Sequence, residues 1–263
     1  MMGHIMTTIL AVANQKGGVA KTTSVASIGA ALAELGQRVL LVDLDPQACL
    51  TFSLGIDPED LDVSIHQVLT AGLSPLEVVL ETADGVDLLP ATIELTRAET
   101  DLLTRTGHEH VVQAALELLD DEDVPYDWVL LDCPPSLGVL TVAALTAASA
   151  VLIPLQCETL SHRGVGQLLD TVHDVRRFTN RKLAVWGVLP TLYDGRTNHA
   201  RAVLETISET YELDVVEPPI PKTIKFAEAP AAGRSILATS RSSKGARAYR
   251  EVAASLMTRA ARG

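Results

Sequence analysis

Six short apolar runs, separated by amphipathic stretches, constrain this chain more than any other feature. Ile9–Ala13, Val39–Val42, Val86–Leu89, Val129–Leu131, Ala150–Ile153 and Ala184–Leu189 are nearly uniformly apolar. Runs this short and this continuous fit strands buried on both faces. Between them, Thr22–Leu35, Glu109–Leu119 and Val165–Arg177 repeat apolar residues at helical spacing. The alternation predicts βαβ units, hence an α/β fold with a mostly parallel twisted β-sheet flanked by helices on both faces. Aromatic residues make up only 3% of the chain, so Ala, Val, Leu and Ile must build the core. A chain of 263 residues without repeat, low-complexity tract or long linker fits a single domain, here expected over residues 7–263. Residues 1–6 (MMGHIM) read as a disordered start or a cloning scar.

The formal charge of −12 argues, taken whole, against a nucleic-acid binder. Its distribution argues differently. From Pro218 onward nine Lys and Arg residues face only Glu228 and Glu251, so residues 218–263 carry +7 and residues 1–217 carry −19. The three cysteines, Cys49, Cys133 and Cys157, are odd in number and lack CxxC spacing, which fits a reducing compartment and neither a disulfide framework nor a zinc site. The seven histidines are scattered without metal spacing. No signal peptide is visible. Cys133–Cys157 runs 25 residues without a charge. Pro134, Pro135, Pro154 and Gly138 interrupt it, so a helix of about ten residues leading into a buried strand is expected rather than a membrane span.

The loop after the first run reads Asn14-Gln15-Lys16-Gly17-Gly18-Val19-Ala20-Lys21-Thr22-Thr23. The phosphate-loop pattern GxxxxGK[ST] fails twice, at Gln15 and at Ala20, yet its physical needs are met. Gly17 and Gly18 let backbone N–H groups converge on phosphate oxygens, Lys21 offers a charge to the outer phosphates, and the Thr22 hydroxyl can ligate Mg²⁺. The helix that follows presents its N-terminus to the anion. A plain glycine-rich turn with two exposed lysines is the blander reading. A nicotinamide site fits poorly, because GxGxxG is absent.

Two further segments end runs in acids. Asp43 and Asp45 sit at i and i+2 at the end of the second run, where a strand would point both carboxylates the same way. Such a pair can hold magnesium-bound water and orient an attacking water, or form a solvated acidic turn. Asp132 ends the run Val129–Leu131. A carboxylate there can bond the magnesium water shell, or cap the next helix.

Lys16-Gly17-Gly18-Val19-x-Lys21-Thr22-Thr23 resembles the deviant Walker A motif of the ParA/MinD family of P-loop ATPases. VDLDPQ, DCPPSLGVLTVAAL, IPLQCE, GVLPTLYDGRTN and the segment from Pro221-Lys222 to Pro230 are similar to family segments in the same order, so the resemblance runs from Thr8 to about Leu256. It implies ATP and Mg²⁺ as cofactors and ATP hydrolysis as the activity. It further implies Lys16 as a second lysine reaching the nucleotide of a partner subunit, and Asp45 as the residue that positions water. Asp132, through water, and Thr22 would serve the metal, with Asp43 as an accessory acid. Pro221 and Lys222 would lie beside the adenine. Ala20 departs from the family's usual glycine, and its Cβ is expected to hold that position at negative φ. Iron-carrying relatives place their cysteines differently, so Cys133 and Cys157 are expected to be structural.

The resemblance also implies an ATP-gated homodimer, non-specific DNA as ligand, a ParB-like stimulating partner and a cytoplasmic, nucleoid-associated location. The candidate DNA contacts are Arg201, Lys222, Lys225, Arg234, Lys244, Arg247 and Arg250. MinD-like membrane binding is the first alternative, but Tyr249, Val252, Ala253, Leu256, Met257 and Ala260 form a modest helical stripe that suits packing on the domain better than a stable anchor. A metabolic ATP-dependent enzyme of the same fold and a hydrolysis-poor nucleotide-gated module are the others. The chain starts directly at its first strand, so a repressor with an added N-terminal helix-turn-helix is not expected.

Overall fold

A computed structural model describes residues 7–119, 126–158 and 161–262. The expectation for residues 1–6 lies outside them. Among the described residues, strands β1 (Thr8–Val12), β2 (Val39–Asp43), β3 (Leu80–Glu81), β4 (Asp87–Leu89), β5 (Trp128–Asp132), β6 (Ala150–Gln156) and β7 (Ala184–Thr191) form one sheet in the order β3-β4-β2-β5-β1-β6-β7. Every neighbouring pair is parallel except β3 and β4. All six apolar runs became strands, each within a few residues of the expected bounds. The short edge strand β3 carries no apolar alternation, so nothing in the sequence announced it.

The helices are α1 (Lys21–Glu34), α2 (Cys49–Ser53), α3 (Ile65–Ala71), α4 (Leu95–Leu103), α5 (Val111–Glu117), α6 (Val139–Ala147), α7 (Ser161–Phe178), α8 (Asn198–Tyr211), α9 (Lys225–Glu228), α10 (Ile236–Thr239) and α11 (Lys244–Ala260). The charge-free segment Cys133–Cys157 is α6 followed by β6, as its prolines and glycine suggested. The stretch Glu109–Leu119 is split: a 3-10 turn at His108–His110 precedes α5. No described helix is long and apolar enough to cross a membrane.

The strand period of two sends alternate side chains into two separate cores. On β1, Leu10 and Val12 join the layer under α1, α2, α10 and α11, while Ala11 joins the layer under α3 to α8. On β5, Trp128 and Leu130 take the first side, Val129 and Leu131 the second. Helix α1 is buried nearly all round, because it lies between the sheet and α11. Its small residues permit the approach: a Cβ on Gly29 would stand 2.6 Å from the Leu41 side chain. The C-terminal stripe is core, with Tyr249, Val252 and Ala253 fully buried and Leu256 1% exposed. Burying each large apolar side chain stabilises by about 1.5–3 kcal/mol. The Tyr249 hydroxyl lies 2.9 Å from Ser24 Oγ, which ties α11 to α1.

On β7, Gly187 adopts φ +114°, and a Cβ there would sit 2.2 Å from the Asp214 carbonyl oxygen. Gly187→Ala is therefore expected to cost about 3 kcal/mol or more through combined strain and clash. Urea unfolding, read as a lower midpoint, checks it.

Candidate functional site

The parallel order brings the carboxyl ends of β1, β2, β5 and β6 to one edge, the place where sheets of this kind bind ligands. The glycine loop rises from the centre of that edge. Asn14 braces its start: Nδ2 donates to the Pro154 carbonyl oxygen at 2.8 Å, and Oδ1 accepts from the Lys16 amide at 3.0 Å. Thr191 braces its end, donating from Oγ1 to the Val19 carbonyl oxygen at 2.9 Å while fully buried. Sequence reading missed both bracing roles, because each partner comes from a distant strand. Gly17 and Gly18 are exposed, and a Cβ on either would meet no atom within 4 Å. Gly18 adopts φ +72°, in the left-handed region.

Ala20 corrects an expectation. It takes φ 61° and ψ 36°, not negative φ. The loop keeps the left-handed turn that glycine would take freely, and the alanine Cβ is strained by about 1–2 kcal/mol. Ala20 occupies the N-cap of α1 and offers no side-chain cap, so the first-turn amides are left for an anion. Val19 is buried, whereas Thr22 and Thr23 are partly exposed at the mouth of the loop. Lys21 Nζ folds back to the Lys16 carbonyl oxygen at 3.3 Å. Burial lowers the Lys21 pKa, and the nearby Asp132 carboxyl opposes that shift. Lys16 is ion-paired with Glu158, from the segment after β6.

Asp43 and Asp132 are register partners on β2 and β5, and both are fully buried. Their bonding differs sharply. Asp43 Oδ2 accepts from the Thr51 amide at 2.9 Å and from Thr51 Oγ1 at 2.8 Å, and Oδ1 accepts from the Asp45 amide at 3.1 Å. Among the described residues, neither oxygen of Asp132 has a hydrogen-bond partner. Burial first, then the charge of Asp43, pushes its carboxyl well above the usual range, with the neighbouring Thr22 hydroxyl and Lys21 ammonium offsetting part of this. Burial pushes Asp43 up to about 6 despite its three donors. A buried carboxylate with both oxygens open, beside a partly exposed threonine hydroxyl at a helix start, fits a hydrated Mg²⁺. Thr22 and Asp132 would hold the ion, and the glycine loop the phosphates it neutralises.

Strand β2 ends at Asp43, so the strand rule that would point Asp45 the same way does not apply. Asp45 lies beyond the strand, half-buried, with Oδ1 accepting from the Gln47 amide at 2.9 Å. Pro221 and Lys222 run alongside the end of β7, with the Tyr193 amide donating to Ile220 and the Lys222 amide to Tyr193.

The basic end is less free than its charge count implied. Arg250 binds Glu34 through two nitrogens, at 2.5 and 2.9 Å. Arg234 binds the buried carboxylate of Asp84 at 2.5 Å, and Lys225 binds Glu228 at 2.7 Å. Arg201 donates to Asn198 Oδ1 at 2.6 Å. Lys222, Lys244 and Arg247 are exposed, and among the described residues no hydrogen bond or ion pair engages their side-chain nitrogens. Lys244 and Arg247 line an open cavity of about 280 Å³ with Pro218, Pro219 and Pro221.

All three thiols are held protonated: burial pushes Cys157 up to about 11, and raises Cys49 and Cys133 as well. None is an activated nucleophile, and no described cluster of His, Cys, Asp and Glu could hold a metal by itself.

Two substitutions test this geometry. Because folding raises the Asp43 and Asp132 pKa values, their ionisation opposes folding, and unliganded stability falls as pH rises towards about 6 and beyond. Asp132→Asn should flatten that fall and raise the unliganded melting temperature at pH 7.5 by roughly 2–4 °C, the response of a domain this size to about 1 kcal/mol. It should also abolish the extra melting shift that Mg²⁺ adds to nucleotide. Ala20→Gly should raise the melting temperature by roughly 1–3 °C, since relief of strain exceeds the added entropy of the unfolded chain. Differential scanning calorimetry reads both.

Residues 7–185 match the family described as AAA domain. The chain is 40% identical over 246 residues to the sporulation initiation inhibitor protein Soj of Bacillus subtilis, covering 93% of this chain and 96% of that one. It is 42% identical over 250 residues to the chromosome-partitioning ATPase Soj of Thermus thermophilus, covering 95% of each. Among solved structures it is similar to a Mycobacterium smegmatis protein named cobyrinic acid a,c-diamide synthase, with bound ADP and magnesium, at 56% identity and TM-score 0.85, covering 96% of this chain and 94% of that one. The glycine loop on β1, the acid ending β5 and this full-length similarity together make the chain a member of the ParA/Soj family of P-loop ATPases.

Proposed function

We propose that the protein is an ATP-driven switch that dimerises around Mg²⁺-ATP, binds DNA without sequence preference, and hydrolyses ATP when a ParB-like partner stimulates it, so as to segregate or position DNA or another cargo. The open carboxylate of Asp132 beside Lys21 and Thr22 carries the reading, since a hydrated Mg²⁺ would satisfy it and a triphosphate would complete the ion's shell. In this reading Lys21, Lys16 and Mg²⁺ neutralise charge on the transferred phosphoryl group. Asp45 orients the attacking water. Lys16 leaves Glu158 and reaches the nucleotide of the partner subunit. The γ-phosphate then supplies contacts available only to the dimer, which is what couples nucleotide state to assembly.

The pairing of the basic side chains narrows the DNA surface. Arg234 and Arg250 are engaged by acids distant in the chain and Lys225 by Glu228, so Lys222, Lys244 and Arg247 are the proposed phosphate contacts. The location that follows is cytoplasmic and nucleoid-associated.

The similarity to a protein named as a diamide synthase supports a second reading, an ATP-dependent amidating enzyme. Nitrogen release from glutamine by a thiolate finds no candidate here, because burial raises all three thiols. Turnover stimulated by a corrinoid acid and a nitrogen donor, but indifferent to DNA and partner protein, would favour it.

DNA binding measured against salt tests the first reading. Three unpaired cations on each of two protomers predict a slope of log affinity on log salt of about −5 with a non-hydrolysable ATP analogue. Lys244→Glu with Arg247→Glu should reduce it to about −2, Arg250→Gln should change it little, and Lys16→Ala should abolish ATP-dependent binding. A flat salt response in the wild type contradicts the proposal.

A further inference from the structure

We propose that Asp43 is a positioning residue that builds the Asp45 turn through Thr51, and is not itself a magnesium ligand. The inference rests on the reading above, in which Asp45 orients the attacking water. Sequence spacing alone would make Asp43 a second acid facing the nucleotide. The bonding points elsewhere. A carboxylate offers about four lone-pair directions, and three of those on Asp43 are engaged by the Thr51 amide, Thr51 Oγ1 and the Asp45 amide.

Those three donors have a common effect. Asp45 lies outside β2 and so takes no position from the strand ladder. Its backbone is held at the amide by Asp43 Oδ1, and at the carbonyl by the Ala48 amide at 2.8 Å. The first turn of α2 is drawn to the same carboxylate through Thr51, which is fully buried. Thr51 Oγ1 also accepts from the Ala91 amide at 3.0 Å, which anchors the clasp to the segment after β4. One carboxylate and one hydroxyl thus join the end of β2, the Asp45 turn, α2 and the β4–α4 connection. Leu44, just after β2, donates its amide to the carbonyl oxygen of Asp132 on β5 at 3.0 Å, so the turn is fixed relative to that strand as well. The two register-paired aspartates are divided by function: Asp132 keeps both oxygens open, while Asp43 holds the water-orienting turn.

A misplacement of about 1 Å at a reacting group can cost on the order of 100-fold in rate. The clasp is therefore expected to act on kcat and not on nucleotide or metal binding. Thr51→Val removes the hydroxyl while keeping the shape, and Thr51→Ser restores the hydroxyl. The decisive experiment is steady-state ATP hydrolysis by the full chain, with half-saturation for Mg²⁺ and ATP measured for each variant. Thr51→Val should lower kcat by about ten-fold or more, with both half-saturation values within about two-fold of wild type, and Thr51→Ser should recover most of the rate. Asp43→Asn should share the Thr51→Val pattern. A Thr51→Val enzyme with wild-type kcat, or an Asp43→Asn enzyme whose principal change is about a ten-fold higher Mg²⁺ requirement, would overturn the proposal. Asp45→Ala separates the two levels. Loss of turnover there with wild-type turnover in Thr51→Val refutes the clasp and keeps the role of Asp45. Wild-type turnover in Asp45→Ala refutes that role, and the clasp with it.

Discussion

A fully buried carboxylate with no hydrogen-bond partner is costly, and among the described residues Asp132 is one. The site is arranged around it. The parallel pairing of β5 between β1 and β2 fixes its place at the centre of the sheet edge. The glycine loop on β1 delivers Lys21 and Thr22 to its side, and both groups oppose the rise in its pKa. Burial lowers the Lys21 pKa in turn, so cation and acid each limit the other's penalty. This is an incomplete electrostatic balance. A divalent cation with phosphate would complete it, and the free energy gained there would be available to order the loop.

The same edge shows how a sheet converts register into chemistry. Asp43 and Asp132 stand opposite each other on neighbouring strands, with the same residue type and burial. Local donors set their different fates. Thr51 and the Asp45 amide reach Asp43, whereas at Asp132 only the Thr22 hydroxyl stands near, and among the described residues no donor meets hydrogen-bond geometry there. Ala20 adds strain in the glycine loop. Such strain persists only where surrounding contacts over-determine the backbone, and here Asn14 and Thr191 hold the two ends of the loop.

Much of this was legible in the sequence for physical reasons. Continuous apolar runs must be buried strands, and the order of strands and helices leaves few topologies. The loop reads as a phosphate cradle despite the loss of two consensus glycines, because Gly17 and Gly18 leave its turn exposed and unobstructed. The C-terminal stripe read correctly as packing, since Tyr249 to Leu256 lack a bulky exposed apolar face. What escaped depends on contacts between distant residues. Arg234 meets Asp84 across 150 positions, and Arg250 meets Glu34 across 216, so a charge count could not reveal which cations are engaged. Ala20 read as incompatible with positive φ, because residue type alone omits the restraint of the loop around it. The three hydrogen bonds that Asp43 accepts escaped as well, because Thr51 approaches it only once α2 has turned back.

The central claim is that Asp132, with Thr22, receives the metal of a bound nucleotide while Asp43 does not. Mn²⁺ bound with a non-hydrolysable ATP analogue gives an anomalous X-ray signal that locates the ion directly. The account predicts one peak in direct contact with Thr22 Oγ1 and one water removed from Asp132. A peak coordinated by Asp43, or an ion held only by phosphate oxygens away from both Thr22 and Asp132, would contradict it.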